Sequence, residues 1–299
     1  MRLDGERESE NIEDRRGSGG GFGGGGGFPI GVAGGGLGTV AIILLALFFG
    51  VDPRVILSGG GDAPAPQQSQ VTESRPAPNG QANGQEDGQR RFVAQVLATT
   101  EDAWTDIFRN ANRRYDPPNL VLFSGGTQSA CGFAQTAVGP FYCPNDRKVY
   151  LDTAFFADME RKLGAPGEFA RAYVIAHEVG HHVQNLLGIL DRVDRERRGM
   201  DRAESNALQV RIELQADCFA GIWAARTEQM KRFLEPGDIE SGIGAAAAVG
   251  DDRLQRRAQG YVVPESFTHG SSAQRTRWFR TGLESGDIRR CDTFGADRL

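Results

Sequence analysis

Histidine and cysteine are scarce in this chain, with four of each among 299 residues. No C-x-x-C spacing occurs, which argues against a cysteine-built zinc site. Basic residues are dispersed and almost all are arginine, and the formal net charge is −5. With no basic patch, nucleic acid is excluded as a partner. Charge is missing altogether from one long stretch: Gly17 to Val51 carries none.

The few histidines are not scattered. Three of them, His177, His181 and His182, fall inside APGEFARAYVIAHEVGHHVQNLLG, residues 165–188. The spacing predicts a helix here. Pro166 suits a first turn, Glu168 suits the positive end of the dipole, and Gly188 is a natural stop. Ile175, Val179, Val183 and Leu186 recur at helical spacing and can face a core. Within the helix, His177-Glu178-Val179-Gly180-His181 is an H-E-x-x-H pattern. Residues four apart share a helix face, so both imidazoles can meet one Zn²⁺. Glu178 stays outside the ligand set, where a general base for the attacking water belongs.

A catalytic zinc takes three protein ligands. The metzincin extension fails, because Gln184 and Leu187 stand where its glycine and last histidine would be. His182 is turned about 100° from His181 at 3.6 residues per turn and is read as a packed or solvated side chain. A carboxylate from a later helix remains. Residues 201–227 form such a helix, with Leu208, Ile212, Phe219 and Trp223 along a buried side. Glu213 and Asp217 sit four apart in its apolar part. Glu213 can complete a His₂Glu site, and Asp217 can accept the hydrogen bond from a ligand imidazole's second nitrogen.

His177-Glu178-x-x-His181 followed by Glu213-x-x-x-Asp217 resembles the gluzincin arrangement. With VIAHEVGHHVQNLLGI, RIELQADCFAGIWA, FLEPGDIESGI, GDDRLQ and FTHGSSAQRTRWF, the chain from about residue 91 onward resembles the bacterial "putative neutral zinc metallopeptidase" family of single-pass membrane proteins. The resemblance implies an α+β, zincin-like domain, mainly helical, with a small sheet bordering the active-site helix. It also implies peptidase activity.

Residues 1–30 read as a polar, then glycine-rich, cytoplasmic tail. Residues 31–52 read as a transmembrane signal anchor, since the apolar run Leu37–Val51 extends backwards without meeting a charge. A cleaved signal peptide would start closer to the basic residues, and a core helix would need neighbours to pack against. Arg15 and Arg16 before the span, against Arg54 after it, place the N-terminus inside. Residues 53–90 are rich in Gly, Pro and Gln and read as a linker. Residues 91–299 are then the zinc metallopeptidase domain. It is expected on the extracytoplasmic (periplasmic) side of the bacterial inner membrane, held by one span.

In that domain the spacing predicts a helix over residues 91–113, a strand at residues 120–123, and strands at residues 141–143 and 148–151 joined by Pro144-Asn145-Asp146. A strand just ahead of the catalytic helix would border the cleft and pair with an extended peptide. Residues 190–206 read as a charged connection, residues 238 onward as an Ala-rich helix, and residues 271–282 as a last helix opened by a Ser271/Gln274 capping box. An oxidising compartment predicts two disulfides. Of the three pairings, the hairpin favours Cys131–Cys143, leaving Cys218–Cys291.

Catalysis also needs a donor for the developing oxyanion. His269, the one histidine outside the catalytic segment, is the candidate, ahead of Tyr261 and Tyr150. The resulting expectation is a membrane-anchored zinc peptidase acting on a peptide or protein. Two alternatives stand beside it: a membrane-tethered zinc-binding interaction or chaperone module without turnover, and a zinc hydrolase of a non-peptide amide.

Overall fold

A computed structural model of the chain describes residues 1–16, 80–135 and 139–299. It is α+β and mainly helical. Strand β1 (Ile12–Asp14) is followed by helix α1 (Gly80–Asn110), then β2 (Asn119–Phe123), β3 (Gly126–Ser129), β4 (Gly132–Gln135), β5 (Phe141–Cys143) and β6 (Lys148–Asp152). Helix α2 (Thr153–Asp158) and one turn of π-helix (Met159–Leu163) lead into α3 (Glu168–Leu186). The remaining helices are α4 (Ile189–Glu196), α5 (Arg202–Lys231), α6 (Asp238–Ala248), α7 (Asp251–Gln259) and α8 (Ser272–Ser285).

The main sheet has the order β1-β2-β6-β5, and β3 with β4 forms a separate hairpin. β1, β2 and β6 run parallel, with Leu120 opposite Val149 and Leu122 opposite Leu151. β5 returns antiparallel along β6, as Tyr142 opposite Val149, and forms one edge. Apolar residues fill β2, where Leu120, Val121 and Leu122 are wholly buried. Such continuous burial is normal for a strand covered on both faces.

Helix α3 lies at the centre and packs on α1, α5, α6 and the β5–β6 edge. Only a narrow face of it reaches the surface, so its buried residues include the polar His177, Glu178, His182 and Gln184 beside the apolar ones. Helices α5 and α8 approach backbone to backbone. A Cβ on Gly282 would sit 1.9 Å from the Cys218 carbonyl oxygen, so only glycine permits this crossing. Both expected disulfides are present: Cys131–Cys143 ties the β3–β4 hairpin to β5, and Cys218–Cys291 ties the C-terminal turn to α5.

Several expectations require correction. Residues 1–16 are not a tail separate from the domain. Their strand is the outer strand of the main sheet, and Met1 and Leu3 are buried in the main core. A short strand inside a run of charges carries no local signature, because its register is set by β2. The domain also begins before residue 91, since α1 starts at Gly80 inside the expected linker. The Ala-rich stretch forms two helices, broken at Val249-Gly250 where Asp251 turns to cap another loop. The expected membrane span over residues 31–52 lies outside the described residues. Among the described residues, no helix is long and apolar enough to cross a membrane.

Candidate metal centre

Helix periodicity puts His177 and His181 one turn apart on α3, and Glu213 faces them from α5. The glycine of the H-E-x-x-H pattern sets the distance between these helices. A Cβ on Gly180 would lie 3.0 Å from the Ala216 carbonyl oxygen, so Gly180 lets α3 press against the turn of α5 between Glu213 and Asp217. The Glu213 Oε2 lies 3.2 Å from His177 Nε2 and 3.6 Å from His181 Nε2. Ligand atoms of the three residues all fall within 4.8 Å of one another.

This donor set fits zinc. Donors about 2.0–2.1 Å from a tetrahedral Zn²⁺ lie about 3.3 Å apart, close to the two separations to Glu213. Two neutral imidazoles and one carboxylate also match the usual catalytic ligand chemistry. His177, His181 and Glu213 would hold the ion.

Each of these groups is held from behind. His177 Nδ1 faces Asp217 Oδ1 at 2.9 Å. His181 Nδ1 lies 2.9 Å from Gln184 Oε1, and Gln184, fully buried, donates to the Ile212 carbonyl at 2.8 Å. Gln209 donates to Glu213 Oε1 at 2.8 Å. A ligand imidazole that donates from Nδ1 keeps Nε2 free for a metal.

Asp217 is the hub of a buried network. Arg275, from α8, donates from Nε to Oδ2 at 2.8 Å and from Nη2 to Oδ1 at 2.9 Å. Tyr173, one turn before His177, donates its hydroxyl to Oδ1 and lies 3.2 Å from Arg275 Nη2. Burial alone would raise the Asp217 pKa, but Arg275 and His177 outweigh it and hold the carboxyl below its usual range. Burial would lower the His177 pKa, yet the Asp217 charge raises it to about 9 in the metal-free chain. Glu213, which burial would raise, is driven well down by His181 and His177.

Glu178 is buried, and that desolvation raises its pKa against the opposing pull of His177 and His181. His269 is also buried beside this cluster. Its Nδ1 lies 3.1 Å from Asp251 Oδ1, and burial, which would lower its pKa, is outweighed by Asp251 and by the Glu213 charge, so the pKa rises. The other oxygen of Asp251 accepts the backbone N–H groups of Thr268, His269 and Gly270 at 2.7, 2.6 and 3.0 Å. The histidine's loop is therefore fixed as well as its ring. The other two candidates stand elsewhere. Tyr150 donates to Asp146 at 2.7 Å in the β5–β6 turn, and Tyr261 is 62% exposed. His182 is a packed residue: Nε2 bonds the Asp116 carbonyl at 2.6 Å and Nδ1 faces the Tyr142 hydroxyl at 3.0 Å.

Sequence reasoning missed Arg275, Tyr173, Gln184 and Asp251. Tyr173 stands at i−4 from His177, and this spacing could have flagged it. Nothing in the sequence ties Arg275 or Asp251 to their partners.

The model of the family described as "Putative neutral zinc metallopeptidase" matches residues 1–294. This chain belongs to that family. Among its relatives, the uncharacterized protein YpfJ of Escherichia coli (strain K12) is 48% identical over 296 residues, covering 99% of both chains. The uncharacterized protein Rv2575 of Mycobacterium tuberculosis (strain ATCC 25618 / H37Rv) is 41% identical over 266 residues, 85% of this chain and 86% of its own. No solved structure matches the chain. The family's name accords with the His177, His181 and Glu213 cluster.

Proposed function

We propose that this metallopeptidase-family chain is an active zinc-dependent peptidase that hydrolyses peptide bonds with a water activated at the His177, His181 and Glu213 site. One observation carries the reading: three ligand atoms converge at zinc spacing while a buried carboxylate, Glu178, follows His177 on the helix of the two histidines without joining the ligand set. A purely structural zinc site closes its fourth position with a protein ligand and has no use for such a base.

When bound, zinc supplies Lewis acidity toward the substrate carbonyl and the attacking water. Glu178 accepts the proton of that water and passes it to the leaving amine. Its raised pKa brings it closer to working pH, where a general base that must also act as an acid is most effective. His269 donates to the oxyanion that forms on the carbonyl, with Asp251 holding its Nδ1 so that Nε2 is the free edge. Asp217 and Gln184 hold the two imidazoles. The β5 edge, which abuts α3 through Tyr142, pairs with no further strand on its outer side among the described residues, and this supports an extended peptide as the class acted on. The two disulfides support an extracytoplasmic location for the domain.

The reading is tested by chelation. The full chain should cleave an unfolded protein such as reduced casein, lose that activity on dialysis against a chelator, and regain it with about one equivalent of Zn²⁺. Activity that survives complete removal of metal would exclude it.

A further inference from the structure

The most consequential feature outside the metal centre is the way the first sixteen residues are built into the domain. Backbone hydrogen bonds run on both sides of the β1 pairing: Leu120 N–H donates to the Asn11 carbonyl and Arg15 N–H to the Leu122 carbonyl, each at 2.8 Å. Earlier in the segment, Ser9 N–H donates to Ala94 of α1 at 3.0 Å and Arg2 N–H to Phe233 at 2.8 Å. The segment thus touches the sheet, α1 and the end of α5.

Its side chains pair with groups across the rest of the domain. Glu101 on α1 is 7% exposed, and its hydrogen-bond and ion-pair partners among the described residues all come from this segment: Ser9, Asn11 and Arg7. Lys231, at the end of α5, pairs with Glu6 as well as with Asp102 of α1, and Lys148, at the start of β6, pairs with Glu13 at 2.7 Å. Arg15 reaches Thr127 of β3 at 3.1 Å. A buried carboxylate without partners is costly, and so is a bare strand edge. The family match also begins at residue 1, so the segment is part of what the family shares.

These contacts bear on membrane topology. The uncharged stretch, residues 17–51, lies between the docked segment and α1 in the chain. If that stretch crossed a membrane once, residues 1–16 and residues 80–299 would lie on opposite sides, and none of these contacts could form. The charge balance that favours an inside N-terminus is only Arg15 and Arg16 against Arg54, and Arg15 is itself engaged by Glu13 and Thr127.

We infer that residues 1–16 and the metallopeptidase domain occupy the same compartment, as two parts of one folded body. Which compartment this is rests on the extracytoplasmic placement proposed above; the shared side does not.

The test uses the full chain in bacterial spheroplasts. All four native cysteines are bridged, so one introduced cysteine is the only thiol. Glu10→Cys reports on the segment and Glu240→Cys on the domain, both at exposed positions. Each is treated with a membrane-impermeant maleimide before and after lysis. Labelling of both to the same extent before lysis is expected. Labelling of one before lysis and the other only afterwards overturns the inference. Labelling of both only after lysis supports the shared side and overturns the extracytoplasmic placement instead, so the two failures are distinct. A second measurement does not depend on thiol access. Ile12→Cys with Leu120→Cys, facing pair members of β1 and β2, is combined with a specific protease site inserted after Gln70. After thiols are blocked in intact cells and the site is cut, the two fragments should migrate together without reductant. Separate fragments in a protein whose two single-cysteine variants both label before lysis, and so stand in an oxidising compartment, overturn the inference.

Discussion

Replacing Arg275 by methionine removes the guanidinium that holds both oxygens of Asp217 while keeping most of the side chain's volume. Both partners are almost fully buried, with relative exposures of 3% and 0%. Breaking a buried pair by deleting one member costs about 3–5 kcal/mol, because the remaining charge stays desolvated. Tyr173 and His177 still donate to Asp217, so the lower end, about 3 kcal/mol, is expected. At roughly 2–4 °C per kcal/mol for a domain of this size, the melting temperature should fall by about 6–12 °C. Arg275→Lys should fall between, since an ammonium cannot span both carboxylate oxygens. Arg275→Met combined with Asp217→Asn should recover part of the loss, as coupled neighbours do. Thermal unfolding of wild type, these three variants and Asp217→Asn alone, followed by circular dichroism, measures all of this. A melting temperature for Arg275→Met within about 2 °C of wild type, or a double variant that loses the sum of both singles, would refute the network as described.

Further outcomes follow from other groups. Burial lowers the His182 pKa from 6.5 to about 4, so the fold binds its neutral form. That contribution is fully present above pH 6.5 and is lost as pH falls toward 4, about 3 kcal/mol in all at 1.36 kcal/mol per pKa unit. Urea unfolding at pH 7 and pH 4.5 should show this loss in wild type and a smaller pH dependence in His182→Gln; equal dependence would remove His182 as its source. His269→Ala should keep zinc content and substrate KM while kcat falls about 10²–10³-fold, the usual effect of losing one oxyanion donor. Full turnover in that variant would take His269 out of the reaction.

The parts of the fold that were legible in the sequence are those specified locally. Helix period fixes where His177, Glu178 and His181 point relative to one another, and does the same for Glu213 and Asp217 on α5. The Ser271/Gln274 capping box is closed by two hydrogen bonds between neighbours and is present at the start of α8. The β5–β6 hairpin was readable from its turn residues, and that hairpin in turn suggested the Cys131–Cys143 bridge. What could not be read depends on elements far apart in sequence. Arg275 reaches Asp217 across the α5–α8 crossing, which exists because Gly282 has no side chain there. Asp251 looks like an ordinary first-turn acid until its carboxylate is seen to gather three successive N–H groups of the His269 loop. β1 is three residues long and polar on its outer side, so no period marks it, and its role is fixed only by the β2 edge it covers.

The most direct test of the central claim compares the full-length wild type with Glu178→Gln, an isosteric change that removes the base and leaves His177, His181 and Glu213 intact. Zinc content and cleavage of an unfolded protein would be measured on both. About one zinc per chain in each, with turnover falling by about 10²–10⁴-fold in the variant, is the predicted result for loss of a general base. Zinc in both with equal turnover, or with none in either, would contradict a peptidase that uses Glu178, and absence of zinc from both would contradict the metal centre itself.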